Sequence, residues 1–298
     1  MRYYFILKNE INYPIGKMCR CMKVSKNAYY YWIRRKDIVI VNSSKIKLKG
    51  RIKAIFEQSR QIYGSCRIRK KLEREGLIYT RSYIGLLMKE MGLKSILRKN
   101  YVVTTDSKHS FPLANNELDR DFTTFKIGEK WVSDITYIRV NDDWNYLTTI
   151  IDLADRKVVG WSLSEDMTTE NTVMKAWVNA RENRNISTGF VFHSDRGVQY
   201  ASNKMRSIFS YNIKITQSMS RKDLRLRKVK NDAVAESFFK TIKHEWLYRF
   251  RFTSYQQLKN SINDYINWYN YERLHSSLGY LSPLEMEMKL RGINKKAA

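Results

Sequence analysis

The sequence is poor in proline, cysteine and histidine, and each shortage narrows the range of possible architectures. Three prolines and twelve glycines in 298 residues do not predict a long disordered linker. The three cysteines, Cys19, Cys21 and Cys66, predict reduced thiols of the kind found in a cytoplasm. Because residues 1–108 contain no histidine and the chain has no second cysteine pair, Cys19 and Cys21 do not predict a zinc site.

Long apolar runs are also missing from the sequence. No stretch approaches the roughly 18 apolar residues that a membrane-spanning helix requires. The segment YYFIL at residues 3–7 is too short for the core of a signal peptide. The sequence therefore predicts no membrane partner, and a cytoplasm is the expected location.

Acidic residues are scarce relative to basic ones. The chain has 29 Asp and Glu against 55 Lys and Arg, which gives a net charge of +26 and a pI near 9.9. A charge of this size opposes compaction by self-repulsion unless a polyanion offsets it. A solvated basic surface and a membrane surface are the alternatives, but the excess is spread over the whole chain, and this favours nucleic acid as the partner.

The first hundred residues show helical patterns only. Residues 13–33 predict two short helices around a turn, with Ser25 as an N-cap. A second helical region at 46–93 is broken at Gly76 and stops at Gly92. The basic residues of the helix before the break include Arg67, Arg69, Lys70 and Lys71. This region resembles a DNA-binding helix-turn-helix, and a three-helix bundle without DNA contacts fits the pattern equally well.

The pattern changes after a connector at residues 100–125. Three strand-like runs follow in close succession: WVSDITYIRV, NYLTTIIDL and KVVGWSLS. Helices then alternate with two further strands, predicted near residues 189–193 and 213–216. This order is typical of an α/β protein with the ribonuclease-H-like fold, in which a mixed sheet is flanked by helices.

These patterns predict five segments along the chain. They are a short helical segment at 1–45, a helix-turn-helix-like DNA-binding module at 46–105, a linker at 106–122, a ribonuclease-H-like catalytic core with C-terminal helices at 123–286, and a tail at 287–298.

Three acidic residues fall in one region of the predicted fold. Asp134 lies in the middle of the first strand, where both faces are largely apolar and an unpaired carboxylate is costly to desolvate. Asp195 follows the strand near 189–193, and this strand is expected to neighbour the first one. Glu236 lies on a helix that begins near Asp232, with Lys240 and Lys243 on its own side and away from a predicted buried stripe of Val234, Phe238, Ile242 and Trp246.

Three neighbouring carboxylates need a partner. At about 4 Å each pair costs roughly 4 kcal/mol for an effective dielectric constant of about 20, unless the acids are protonated or a divalent cation lies between them. Oxygen ligands with open coordination positions suit Mg²⁺ or Mn²⁺. Two such ions can activate a water or a hydroxyl and stabilise the leaving oxygen at a phosphodiester. The acids therefore predict metal-dependent phosphodiester chemistry.

Some polar residues near these acids leave alternatives open. Asp152 ends the second strand and is either a fourth ligand or a turn residue. His193 orients Asp195, contacts a phosphate, or is a core histidine with a satisfied hydrogen bond. Gly197 is expected to let the chain turn beside DNA.

Several long segments, in a fixed order, carry a family resemblance. They read WVSDITYI, YLTTIIDLADRKVVGWSLS, FHSDRGVQYAS, ITQSMSRK, AVAESFFKTIKHE and YINWYNYERLHSSLGYLSPLEME. With these segments the chain resembles the OrfB-type DDE transposases of the insertion-sequence-three family, whose integrase catalytic core is related to retroviral integrases. The segments SRQIYGSCRIRKKLEREG and YIGLLMKEMGLK are similar to that family's helix-turn-helix-like module.

The resemblance implies specific roles. Asp134, Asp195 and Glu236 would be the catalytic, metal-binding triad for two Mg²⁺ or Mn²⁺ ions, and Lys243 would accompany Glu236 on one helix face and hold a phosphate. Tyr200, Arg273 and His275 also fall in motif positions, as DNA-end contacts or as packing residues. Together with the basic residues of the region, the predicted DNA-binding set is Lys243, Lys240, His193, Arg196, Tyr200, Arg221, Lys222, Arg225, Arg227, Arg273 and His275.

One segment departs from the family pattern. After Ser218-Met219-Ser220 the chain reads RKDLRLRKVKNDA, which is longer than in the family, lacks its glycine and reverses its Asp-Asn order. A longer surface loop costs little, because closure entropy grows only logarithmically with length. The segment is expected either to bind phosphates as a basic strip or to misplace Glu236 in an inactive element.

The sequence therefore predicts a transposase that cuts and joins DNA at the ends of an insertion sequence. Its expected partners are double-stranded DNA, a second copy in a homodimer or higher oligomer, and a fused or separate DNA-binding subunit from an upstream frame. The alternatives are a catalytically decayed, transposase-derived DNA-binding protein and a ribonuclease-H-like structural nuclease.

Overall fold

The computed structural model describes residues 2–36, 43–96, 124–210, 215–219 and 233–292. The chain divides into two compact units, Met1–Ile55 and Phe56–Ala298. Within the described ranges, no helix combines the length and the apolar character that crossing a bilayer requires.

The first unit is helical. Its described helices are α1 (Arg2–Asn9), α2 (Ile15–Cys21), α3 (Lys26–Lys36) and most of α4 (Ser43–Gln58). The predicted helix pair at 13–33 is confirmed, and Ser25 lies at the start of α3, where its hydroxyl accepts the amide of Ala28 at 3.4 Å. Helix α1 lies within the helical segment predicted at 1–45, although the continuous apolar run YYFIL did not predict a separate helix there. It contributes Ile6 to a small core with Met18, Cys19 and Tyr29.

The second unit begins with a pair of helices, α5 (Ser65–Arg74) and α6 (Arg81–Glu90), which pack against each other. The break at Gly76 and the stop at Gly92 are confirmed, and both glycines have positive φ angles, 78° and 69°. Thr80 caps α6 by accepting the amide of Tyr83 at 3.2 Å. This part of the chain therefore has the two helices and the intervening turn that the sequence predicts, and its contact with DNA stays a prediction.

A mixed sheet forms the centre of the second unit. Its described strands are β1 (Lys130–Val140), β2 (Asp143–Asp152), β3 (Val158–Ser164), β4 (Val191–Ser194) and β5 (Thr216–Met219). They are ordered β3-β2-β1-β4-β5. The β1–β2 and β2–β3 pairs are antiparallel, and the β1–β4 and β4–β5 pairs are parallel. This topology confirms the predicted ribonuclease-H-like mixed sheet.

The boundary of β5 differs from the prediction. The strand was expected near 213–216, of which 213 and 214 lie outside the described residues, and it spans Thr216–Met219. Residues 216–218, Thr-Gln-Ser, are polar and carry no strong strand signal in the sequence. These residues form a strand because they pair in parallel with β4. In this pairing Ser218 lies opposite His193, and both side chains are buried.

Helices flank the sheet. A π-helical turn, Glu170–Met174, leads into α7 (Lys175–Asn183), and the other described helices are α8 (Val198–Ala201), α9 (Asn203–Ser210), α10 (Ala233–Glu245), α11 (Tyr255–Tyr271) and α12 (Pro283–Leu290). Trp131 and Ile135 of β1 pack in a core with Trp177 of α7 and Phe209 of α9. Helix α7 approaches β3 so closely that a Cβ at Gly160 would lie 2.4 Å from a carbonyl oxygen of α7.

Candidate active site

The sheet register brings two of the predicted acids together. The last pair of the parallel β1–β4 ladder is Ser133 with Ser194. Asp134 follows Ser133 and Asp195 follows Ser194, so the two aspartates continue from neighbouring strands. Such strands are about 4.8 Å apart in a sheet. Burial raises the pKa of Tyr137, and the charges of both aspartates contribute to the rise. Both carboxylates therefore act on the same neighbourhood.

Alternation along β1 sets the face on which these acids lie. Since Trp131 and Ile135 pack against the core of α7 and α9, Asp134 lies on the opposite face of the sheet. Helix α10 packs against β1. Burial lowers the pKa of Lys243, and the charge of Asp134 opposes this shift, so the two side chains interact electrostatically.

Each aspartate is half-buried and fixed by a backbone amide. The Asp134 Oδ1 atom accepts the amide of Ile135 at 2.8 Å, and the Asp195 Oδ1 atom accepts the amide of Gly197 at 2.9 Å. Gly197 has a φ of −56°, so the backbone there does not require glycine. A Cβ on Gly197 would lie 3.0 Å from Asp195 Oδ1. The glycine therefore leaves room for the carboxylate, and the expectation that it lets the chain turn beside DNA stays a prediction.

The third acid, Glu236, lies at the N-terminal end of α10, whereas Lys243 lies at the C-terminal end. Glu236 is an exposed residue of the first helical turn, and Lys243 follows two turns later, about 10.5 Å along the helix axis. Lys240 is exposed on the same helix. Among the residues that the structure describes, no group of three or more His, Cys, Asp and Glu could hold a metal ion. The structure thus places Asp134, Asp195 and Lys243 in one region and does not bring Glu236 into a three-carboxylate group with the aspartates.

Three other predicted DNA-contact residues, His193, Arg196 and Tyr200, lie close to Asp195 along the chain. His193 is buried, and its Nδ1 atom is 2.9 Å from the hydroxyl of Ser218. Tyr200 is fully buried, and its hydroxyl lies 2.8 Å from that of Ser133, the residue before Asp134. Arg196 is half-buried. Four predicted contacts lie outside the described residues: Arg221, Lys222, Arg225 and Arg227.

Arg273 and His275 belong to a buried ionic network. Arg273 is 5% exposed, and its Nε atom donates to Glu245 Oε2 at 2.7 Å. The Tyr265 hydroxyl donates to the same oxygen at 2.8 Å. The Arg67 guanidinium of α5 approaches Glu245 Oε1 at 4.0 Å. Of the two roles that the sequence left open for Arg273 and His275, these contacts favour packing, because the side chains are enclosed by protein.

Glu245 was missed by the sequence analysis. It is 1% exposed and joins α10 to the segment after α11 through Arg273. A signal was present, because at 100° per residue Glu245 lies about 20° from Phe238 on a helical wheel, inside the buried stripe. An acid inside an apolar stripe predicts a buried cationic partner.

The network predicts an acid-sensitive fold. Burial, together with the charges of Arg273, Arg67 and Arg156, lowers the pKa of His275 from 6.5 to about 2. The unfolded chain therefore binds a proton below pH 6.5 that the folded chain does not bind. We expect stability to fall by about 1.4 kcal/mol per pH unit below pH 6.5 from this residue, or about 2 kcal/mol at pH 5. Urea unfolding at pH 7 and pH 5 measures the loss, which should shrink in His275→Asn. Equal losses in both proteins would contradict the assignment.

Asp152 is held in a second buried cluster. Its Oδ2 atom accepts from Arg184 at 2.8 Å, from the Gly128 amide at 2.8 Å and from the Trp131 indole at 3.1 Å. Arg184 also binds Asp155 at 2.7 Å. Since these donors occupy its carboxylate, the structure favours a structural role for Asp152 over that of a fourth metal ligand.

Three models of known protein families match this chain. The family described as "Integrase core domain" matches residues 126–223, a second family with the same description matches 236–290, and "HTH-like domain" matches 44–101. The segment between the two integrase-core matches includes part of the longer, basic stretch that the sequence analysis noted.

Known proteins match nearly the full length of the chain. Transposase InsF for insertion sequence IS3A from Escherichia coli (strain K12) is 30% identical over 97% of this chain and 99% of its own length. An insertion element IS600 protein of 31 kDa from Shigella sonnei is 33% identical over 91% of this chain and 98% of its own length.

Solved structures also match. The HTLV-2 integrase catalytic core domain in complex with magnesium has a TM-score of 0.40 at 17% identity, and covers 54% of this chain and 96% of its own. The simian T-cell lymphotropic virus intasome in complex with PP2A regulatory subunit B56 gamma has a TM-score of 0.47 at 12% identity, with coverage of 77% and 72%.

The match to InsF covers 97% of the chain, so it takes in both the helical first part and the integrase core. The chain therefore belongs to the IS3 family of insertion-sequence transposases.

Proposed function

We propose that this chain is the catalytic subunit of a DDE transposase, which cuts DNA at the ends of its insertion sequence and joins those ends to a new site. The observation that carries the proposal is the β1–β4 register. The last pair of that register, Ser133 with Ser194, comes directly before Asp134 and Asp195, and the charge of Asp134 influences the pKa of Lys243 of α10. Paired carboxylates next to a cation suit a phosphodiester held between metal ions and an ammonium group.

The residues divide the chemistry between them. Asp134 and Asp195 would bind divalent cations through their carboxylate oxygens, a donor set that suits Mg²⁺ or Mn²⁺. When bound, the two ions would supply an activated oxygen nucleophile and stabilise the leaving oxygen. Glu236 would complete the ligand set in the DNA-bound state, and Lys243 would hold a non-bridging phosphate oxygen.

Both reactions are in-line displacements at phosphorus, so one site can perform them in turn. In the first, a water oxygen bonds to phosphorus, and the P–O3′ bond breaks to leave a 3′-hydroxyl. In the second, that hydroxyl bonds to phosphorus in a target strand and another 3′-oxygen leaves. No oxidant or further reactant is needed, and the proton of the nucleophile passes to water.

The proposed partner is double-stranded DNA, and the proposed assembly is a dimer or higher oligomer that holds two element ends. The net charge of +26 and the HTH-like match at 44–101 support DNA as the partner. A fused or separate subunit from an upstream frame would add further recognition of the ends. The proposed location is the bacterial cytoplasm.

One observation favours a second function, DNA binding without catalysis. Among the described residues, Glu236 does not join the aspartates in a group that could hold a metal ion. In such a protein, a fixed displacement of Glu236 would have ended catalysis while the basic surfaces remained.

A strand-transfer assay separates these functions. Duplexes taken from each border of the element are supplied already cut, with a free 3′-hydroxyl, together with supercoiled plasmid and Mn²⁺. A transposase joins the duplex covalently to the plasmid, and EDTA abolishes the product. A structural nuclease cuts DNA without joining it, and a decayed transposase binds the duplex and forms no product. Either of these last two results would overturn the proposal.

A further inference from the structure

A second pair of packed helices with the turn length of a helix-turn-helix lies in the first unit, outside the residues that match the HTH-like domain. Helix α2 ends at Cys21 and α3 begins at Lys26, so four residues form the turn. The turn includes Lys23 at a φ of 54°, a left-handed conformation that reverses the chain sharply. The two helices pack on each other through Met18, Cys19 and Tyr29. DNA-binding helix-turn-helix motifs have turns of this length.

Helix α3 has two distinct faces. Tyr29 is fully buried, and Trp32 and Ile33 pack against the same core. At 100° per residue, the exposed residues of α3 fall within an arc of about 140° on the other side. They are Lys26, Asn27, Tyr30, Tyr31 and Arg34. The exposed face is therefore polar, basic and aromatic, with no acidic residue on it.

The surrounding charge selects the kind of partner. Residues 2–36 contain nine Lys and Arg and one acid, Glu10. Glu10 accepts the hydroxyl of Tyr29 at 3.1 Å, so it is paired with the core side of α3. A net charge of about +8 on so short a segment repels a second copy of itself and attracts a polyanion. Charge complementarity therefore points to nucleic acid and away from self-association through this face.

We propose that α3 is a second DNA-reading helix of this chain, which enters the major groove of double-stranded DNA with its exposed face. Asn27, in the first turn, has the amide that pairs with the N6 and N7 positions of adenine, and Arg34 has the fork that pairs with guanine or with phosphate. The hydroxyls of Tyr30 and Tyr31 suit backbone contacts. This inference rests on the proposed function in one respect only, which is that the partner is DNA.

The test is a binding selection with the full-length chain and a pool of duplexes that carry a randomised segment. Wild type should enrich a short base motif. The double variant Asn27→Ala/Arg34→Ala should bind that motif about ten-fold or more weakly, relative to a scrambled duplex. Lys8→Ala on α1 removes the same single charge, and it should keep the motif while weakening all duplexes evenly. Alanine at exposed helical positions favours the helix, and circular dichroism checks the fold.

The other outcomes are equally decisive. The proposal is overturned if wild type enriches no motif, or if the double variant keeps the motif and its affinity. It is also overturned if the double variant alters the sedimentation mass without altering DNA binding, because the face would then be a protein interface. Glu236→Gln separates this proposal from the proposed function. A variant that neither nicks nor joins DNA should still enrich the same motif through α3.

Discussion

Asp195→Asn is expected to lower Mn²⁺-dependent nicking of element-end DNA by on the order of a thousand-fold, since the loss of a metal-stabilised transition state is worth several kcal/mol. Asparagine retains the oxygen that accepts the amide of Gly197. The turn after β4 should therefore keep its shape, while the negative charge that binds the cation is lost. Initial nicking rates, measured with excess enzyme over a range of Mn²⁺ concentrations, quantify the effect.

A matched control tests whether the loss is specific. Asp142 is an exposed aspartate at the β1–β2 turn, bonded to Arg139 at 2.8 Å, and far from the end of the β1–β4 ladder along β1. Asp142→Asn removes the same charge from the same sheet and should nick DNA at close to the wild-type rate. Nicking by Asp195→Asn within a few-fold of this control would show that Asp195 does not serve the reaction.

Arg184→Met is expected to lower the free energy of unfolding by about 3 to 5 kcal/mol, because it leaves buried carboxylates without their cation. Arg184 is 4% exposed and pairs with Asp152, Asp155 and Glu287 at 2.8, 2.7 and 2.9 Å. Burial alone would lower the pKa of Arg184, and Asp155 and Asp152 raise it above its usual value. Urea unfolding at pH 7, followed by circular dichroism, measures the loss.

The control for this prediction is an arginine with one exposed partner. Arg139 bonds Asp142 at 2.8 Å, with both side chains largely in solvent. Arg139→Met should cost less than about 1 kcal/mol, since exposed ion pairs contribute little. If both variants lost a comparable free energy of unfolding, the buried ion pairs of Arg184 would contribute no more to stability than the exposed pair of Arg139.

The sheet could be predicted from sequence because its signals are local. WVSDITYIRV alternates, the Asn141–Asp143 turn is polar, and three strands follow in succession before the helices begin. The ribonuclease-H-like fold that this order predicts then places the strand before Asp195 beside the strand of Asp134, and the structure confirms this neighbourhood through the β1–β4 register. The pairing of the two aspartates was thus available from periodicity and topology together.

The ionic clusters could not be predicted because they join residues that are distant along the chain. Glu245 lies 28 residues before Arg273, and Arg184 lies 32 residues after Asp152. Sequence patterns show that a charge is misplaced on an apolar face, and they do not show which cation reaches it. The position of Glu236 relative to the aspartates could not be predicted either, because it depends on how α10 packs against β1.

Cleavage of the chain by bound iron tests the central claim most directly. Fe²⁺ in place of Mg²⁺, with ascorbate and peroxide, generates radicals that cut the backbone beside a bound ion. In the presence of element-end DNA, we predict cuts near Asp134, near Asp195 and near Glu236, all suppressed by excess Mg²⁺ and lost in Asp195→Asn. Cuts near the two aspartates with none at the start of α10, or cuts that Asp195→Asn leaves unchanged, would contradict a shared metal site built from these three acids.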